Sequence, residues 1–291
     1  MPVDGVIPGY ILTLAATATV FTVMFALGLG IAIAEFRWVI GHPALILRGL
    51  FAVLVAVPAI GLIVTRALDL PRMADIGIVL MAISPGAPVA LRRSLDAGGH
   101  RAFAPALQIM VALLAVVSMP LSIAALGVVY AGEASINPAH LAKQVFVAQL
   151  LPLSLGMAVR HFVPARAERV EPALTRIAKW MLITLVIMAL IDAWQAVLGA
   201  GFRLAIAIVL VTGCALAVGH LLGGPVPATR TAVAITSAAR NPGLALLVAA
   251  LNGAPPEVGR TVLAYLFVSA LTVVPYVVWR RRAGGATGGG T

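Results

Sequence analysis

Ser84-Pro85-Gly86-Ala87-Pro88-Val89 and Asn241-Pro242-Gly243-Leu244-Ala245-Leu246 each interrupt an apolar run near its middle. Both share a Ser/Asn-Pro-Gly core followed by renewed apolar helix. Proline removes a backbone donor and disfavours helical geometry in the residue before it, while glycine loosens the chain. Proline just after Ser or Asn is also a helix start, because the polar side chain caps free amides and proline suits the first turn. Each core is therefore expected to stop one half-helix and start another. One such break alone reads as a packed kink, since proline and glycine are common in membrane helices. It is the pairing of two that changes the reading.

The surrounding composition sets the solvent. Of 291 residues, 62% are hydrophobic and 10% charged, against roughly 45–50% and about 25% in soluble domains. Apolar runs recur from end to end, each long enough to cross a hydrocarbon core of about 30 Å. They cover approximately Pro8 to Ala34, Pro43 to Thr65, Ala74 to Leu95, Phe103 to Tyr130, Pro138 to His161, Pro172 to Leu198, Phe202 to Leu222, Thr229 to Leu251 and Val258 to Trp279. The first run lacks a basic segment before it and a cleavage site after it, so it reads as a retained span with the chain starting near Met1. Residues 1–282 are expected to form a single polytopic transmembrane domain, and the Gly-rich tail from Ala283 to Thr291 is expected to be disordered.

The formal net charge of +10 does not imply nucleic acid, because the basic residues concentrate in short connections. Alternate connections are rich: Arg37 and Arg48; Arg92, Arg93 and Arg101; Arg160, Arg166, Arg169, Arg176 and Lys179; Arg230; and Arg280, Arg281 and Arg282. The intervening ones carry Arg66 and Arg72, Lys143, Arg203 and Arg260. The richer set belongs in the cytoplasm, with the N-terminus outside and the C-terminus inside. That requires an odd number of spans and agrees with about nine. Arg92 and Arg93, in the half-helix after the first break, read as topology residues that snorkel to the cytoplasmic end.

In this scheme the two interrupted spans lie five apart, so they run through the membrane in opposite directions. Matching breaks in oppositely oriented halves indicate inverted repeats whose broken helices cross near the midplane. Free amides at a half-helix N-terminus attract anions and free carbonyls at a C-terminus attract cations. The expected fold is an all-α membrane protein with a ligand site at the crossing.

At these residues the sequence resembles the bile acid:sodium symporter family. Met24-Phe25-Ala26-Leu27-Gly28-Leu29-Gly30 followed by Phe36, Pro58, Ser84-Pro85-Gly86 and Ala239-Arg240-Asn241-Pro242-Gly243-Leu244-Ala245 are similar in order and spacing to that family's segments. The resemblance implies a panel domain and a core domain holding both crossover helices, with nine of the ten helices that many members have. It also implies sodium coupling. Yet the family's Ser-Asn sodium-ligand pair falls here on Ala90 and Leu91, its Glu on Thr236 and its Gln on Arg240. A guanidinium offers no oxygen ligand. Gln108 falls on a hydroxyl position near the family's sodium site.

Candidate substrate-binding residues at the crossing are Ser84, Gly86, Ala87, Gln108, Thr236, Ser237, Arg240, Asn241 and Gly243. Arg240 is read as a fixed charge that replaces the bound cation, the bland alternative being an arginine that merely satisfies neighbouring carbonyls. Asp192 is expected to pair with Arg203, and Cys214 to be a small buried hydrophobe. His42, His100, His140, His161 and His220 show no metal-ligand spacing, and no nucleophile–base pair is evident. Neither catalysis, nor a cofactor, nor a metal site is expected. The expected partners are the lipid bilayer and a small organic anion, carried across the inner membrane by alternating access. Proton coupling lacks a carboxylate near the crossing, which leaves facilitated transport or exchange. The alternative is a non-transporting membrane ligand-binding or sensing module with the same fold.

Overall fold

The computed structural model describes residues 9–31, 40–129, 137–199 and 201–287. Phe36, Arg37 and residues 288–291 lie outside them, as does the side chain of Asp192. Among the described residues the chain is helical, without strands. Helix α1 spans Gly9–Leu29, α2 Pro43–Ala67, α3 Arg72–Ala82, α4 Pro88–Asp96 and α5 Phe103–Val129. Helix α6 comprises Pro138–Val145, a π-helical turn at Phe146–Leu150 and Leu151–Phe162. Then follow α7 Pro164–Gly199, α8 Gly201–Leu222, α9 Pro227–Ala238, α10 Pro242–Leu251 and α11 Pro256–Thr287. Six stretches of the described residues are long and apolar enough to cross a membrane: Pro43–Ala67, Phe103–Gly127, Ala139–Phe162, Gly201–Leu222, Pro227–Leu251 and Pro256–Ala283.

Two boundaries differ from expectation. Helix α7 starts at Pro164, not Pro172. Proline at the first helical position gives up a donor that would have no partner there. The Ala-, Arg- and Glu-containing residues after it favour helix, and Arg160 Nη2 holds Glu168 Oε1 at 2.9 Å across the turn from α6. Helix α11 runs on to Thr287, so residues 283–287, expected to be disordered, are helical. The arginines Arg280 to Arg282 and Ala283 are good helix formers that carry the ladder past the apolar run.

Two prolines explain two π-turns. Helix α2 widens at Ala52–Ala56 immediately before Val57-Pro58, and α6 at Phe146–Leu150 immediately before Leu151-Pro152. In each, the residue before proline bonds five back: Val57 N–H to the Ala52 carbonyl and Leu151 N–H to the Phe146 carbonyl. Proline cannot continue that pattern, so the next carbonyl, Val53 or Val147, loses its ladder donor.

The helices form two layers. Helices α1, α6 and α7 pack together, while α2, α5, α8 and α11 pack around the broken α3–α4 and α9–α10 on the other side. Helix α1 meets α10, α7 meets α11 and α6 meets α5 where the layers touch. Within the first layer, α1 and α6 approach closely at a glycine pair. A Cβ on Gly28 would meet the Leu153 carbonyl oxygen and stand 3.0 Å from Gly156 Cα, and one on Gly156 would meet the Phe25 carbonyl oxygen. Lipid tails are as apolar as leucine, so such backbone contact is what associates helices in a bilayer.

The ends of the broken helices are fastened from α11. Arg280 Nε donates to Thr231 Oγ1 at 2.7 Å and its Nη2 to the Pro227 carbonyl at 3.1 Å, while Arg281 Nε donates to the Asp96 carbonyl at 3.0 Å. One helix end thus ties the start of α9 to the end of α4. Cys214 is exposed on α8, not buried; α8 turns Thr212 and Ala215 inward beside it.

Gly28→Val should destabilise the detergent-solubilised protein by about 1–3 kcal/mol through overpacking, read as a lower thermal midpoint. Gly213→Val should change it far less, because a Cβ at Gly213 meets nothing within 4 Å.

Candidate functional site

Helix α3 ends as Ile83 N–H bonds the Val79 carbonyl (2.9 Å) and Ser84 N–H the Met81 carbonyl (3.1 Å). Gly86 then takes φ +84°, a left-handed conformation that glycine adopts without a side-chain clash. Contrary to expectation, Ser84 does not cap a new helix at Pro85. Its Oγ donates back to the Leu80 carbonyl at 2.7 Å, as hydroxyls in membrane helices tend to do. The chain restarts at Pro88, after Ala87 in extended geometry (φ −58°, ψ 121°), and no side chain caps α4. The second proline sets this point, because it disfavours helical backbone at the residue before it.

The second break behaves as its residues suggest. Asn241 Oδ1 accepts from Leu244 N–H at 3.1 Å, and Pro242 opens α10. The two breaks also touch: Asn241 N–H donates to the Ser84 carbonyl at 3.0 Å. The amide that α9 would have used for its own ladder is spent on the other broken helix.

Arg240 is placed where the resulting orphan carbonyls converge. It is 5% exposed. Its Nη1 donates to the carbonyls of Val53 (3.1 Å) and Ala82 (3.0 Å), and its Nη2 to that of Ser237 (2.7 Å). Each acceptor has lost its normal donor for a reason visible in the sequence. Val53 loses it to Pro58, Ala82 ends α3 before the Gly86 turn, and Ser237 has given up Asn241 N–H. A buried unpaired carbonyl is expensive at membrane depth, so one guanidinium satisfies three such groups on α2, α3 and α9. Its Nε remains unpartnered.

Behind the first break two carboxamides interlock with the backbone. Gln108 Nε2 donates to the Ala87 carbonyl at 3.3 Å, and Gln149 Nε2, from the π-turn of α6, to the Ala112 carbonyl at 3.4 Å. A Cβ on Gly86 would lie 3.1 Å from Gln149 Nε2 and 3.9 Å from Gln108 Nε2. Both amide oxygens are buried with no partner among the described residues, as are Ser237 Oγ and Asn241 Nδ2.

A cavity of about 60 Å³ opens at the crossing point, lined by Ala87, Arg93, Arg240, Asn241 and Gly243 from the broken helices, and by Thr19, Val20, Val23 and Met24 from α1. Leu182 of α7 and Leu266, Ser269 and Val273 of α11 complete its wall. Of the residues singled out in the sequence, Ala87, Arg240, Asn241 and Gly243 reach this cavity. Ser84, Gly86, Gln108, Thr236 and Ser237 stand outside its lining, with Ser84 and Gln108 shaping the backbone that does line it. Arg93, Thr19 and Ser269 were missed. Arg93 lies five residues beyond Pro88, close enough to the break for the spacing to have flagged it.

The fold and the site define an integral, multi-pass membrane protein with a small, largely apolar cavity that holds a few polar groups beside two broken helices. The sequence matches the Sodium Bile acid symporter family over residues 17–200, more than half of the chain. The chain belongs to that family, one of membrane transporters. A relative from Bacillus subtilis (strain 168), described as the uncharacterized sodium-dependent transporter YocS, is 24% identical over 202 residues, 69% of this chain and 60% of the relative. The match therefore spans less than two thirds of the relative's length. The family match includes the first break, whereas the second lies beyond it.

Arg240→Gln should strand buried carbonyls on three helices. The expected loss is on the order of 3 kcal/mol, measured as a lowered thermal midpoint. Arg240→Lys, which keeps the charge but not the fork, should fall between the two.

Proposed function

We propose that the protein is a secondary transporter of a small organic anion working by alternating access, with α1, α6 and α7 as a panel and the remaining helices as a core. In this reading residues 1–282 form one transport domain of nine spans in an inner membrane, N-terminus outside and C-terminus cytoplasmic. The α9–α10 pair is then the inverted counterpart of α3–α4. Family membership supports transport, and the paired breaks with a cavity between them support a substrate site at their crossing point.

One observation carries the mechanism: the buried Arg240 guanidinium bridges carbonyls of both broken helices and of α2. A positive charge at that point does what a bound cation does, drawing carbonyl dipoles together, but it never dissociates. The positions that the resemblance matches to sodium ligands carry Ala90, Leu91, Thr236 and Arg240, of which only Thr236 has a side-chain oxygen. Coupling to sodium is therefore replaced by a resident charge, and the anion moves by facilitated diffusion or exchange.

Counterflow of labelled organic anions into proteoliposomes tests this. Flux should persist when sodium is replaced by choline on both sides. A tenfold loss of flux without sodium would overturn the substitution of Arg240 for the ion. Saturable binding with no flux would favour the non-transporting binding module instead.

A further inference from the structure

Arg93 lines the crossing cavity, and the carbonyl network around Arg240 makes no use of it. It sits on α4 on the order of 8 Å along the helix axis from Pro88. No hydrogen bond or ion pair of its guanidinium is found among the described residues. The two arginines at this cavity are thus chemically different. Arg240 has both terminal nitrogens committed to protein carbonyls, whereas Arg93 keeps the full five-donor fork that matches a carboxylate. Two residues lining the same cavity, 5% and 4% exposed, carry buried nitrogens with no hydrogen-bond partner among the described residues: Arg240 at Nε and Asn241 at Nδ2. Arg93 itself is exposed, so the cavity wall it shares with these residues is open to an entering ligand.

The size of the space constrains what enters. About 60 Å³ holds only a few heavy atoms, given that a water molecule in the liquid takes about 30 Å³. Next to it, sharing Val23 and Leu182, is a vestibule of about 280 Å³. Its walls include the apolar Ala26, Leu27, Ile31, Leu91 and Leu95. Charged groups also line it: Arg92, Lys179 and Glu171, whose Oε1 accepts from Thr175 Oγ1 at 2.7 Å. Two cations against one carboxylate leave this mouth net positive, which favours entry of an anion.

The geometry points to Arg93 as the residue that receives the cargo's anionic group, with the carboxylate end of an amphipathic monoanion in the crossing cavity and its apolar body in the vestibule. This rests on the transport reading above and deepens it, naming the residue that reads the charge and the orientation in which the cargo lies. Arg92 and Lys179 attract the anion to the mouth, and Arg93 holds it.

The test is binding to the full chain in detergent, measured from the rise in thermal midpoint with ligand concentration. The probes are 4-phenylbutyrate, octanoate and benzoate, the neutral 4-phenylbutyramide, and acetate, which has the head group but no body. Wild-type protein should bind the three larger carboxylates well and the amide and acetate at least tenfold more weakly. Arg93→Gln should lose at least tenfold in affinity for the carboxylates with no change for the amide. Arg93→Lys should lose several-fold, because it keeps charge without the fork, and Arg93→Met replaces the Gln variant if that does not fold. Arg176→Gln, at an exposed position on α7, should behave as wild type. Wild-type carboxylate affinity in the neutral Arg93 variant would overturn the role of Arg93 while leaving the transport reading intact. Acetate binding as tightly as 4-phenylbutyrate would overturn the head-inward arrangement. No binding of any carboxylate together with no anion flux would overturn both readings.

Discussion

Three backbone carbonyls without ladder donors, deep in an apolar protein, are the constraint on which the rest of this structure depends. A broken helix in water would hydrate such groups. Within a bilayer they must find protein or trapped water. The chain meets that demand with Arg240, whose two terminal nitrogens reach Val53, Ala82 and Ser237. Proline is the cause of one orphan and helix interruption the cause of the others, so the arginine and the breaks have to be understood as a single device.

The device also explains the division into layers. Helices α2, α3 and α9 are pinned to one another through one side chain, and the ends of α4 and α9 are pinned to α11 through Arg280 and Arg281. Helices α1 and α6 are joined by backbone contact at Gly28 and Gly156. Between the layers lie two small apolar clusters, Val20, Met24 and Ala148 against Leu247, and Ile31 and Leu153 against Ile109 and Ala112, together with a few hydrogen bonds. Asn252 Nδ2 donates to Gln144 Oε1 at 2.9 Å, and Gln149 reaches the Ala112 carbonyl at 3.4 Å. Single neutral hydrogen bonds in membrane proteins contribute about 0.6 kcal/mol on average.

Much of this was written in the sequence, because the signals were local. Run length located the helices, and Ser84-Pro85-Gly86 and Asn241-Pro242-Gly243 located the breaks. Asn241 capped its helix as its position predicted, whereas Ser84 did not. The difference lies four residues downstream of Ser84, in Pro88, which stands outside the repeated core. The start of α7 was misplaced for a similar reason: an amphipathic, charged first segment carries no long apolar run, so hydropathy alone begins the helix at Pro172. The partners of Arg240 were beyond reach, since Val53 and Ala82 are 187 and 158 residues away. Arg93 was visible but was assigned by its basic neighbours to topology, and only the cavity wall separates its role from that of Arg92.

The breaks resemble each other in composition yet end differently. Asn241 satisfies an amide of its own half-helix with its side chain, so α10 presents a start that is already partly quenched. Ala87 has no side chain with which to do so, and its backbone carbonyl instead accepts from Ala90 N–H at 2.9 Å. Each start therefore quenches one amide of its first turn, one through a side chain and the other through backbone. A pair of helices that looks alike by sequence thus reaches its caps through different atoms, and the short helix that bears Arg93 depends on backbone alone.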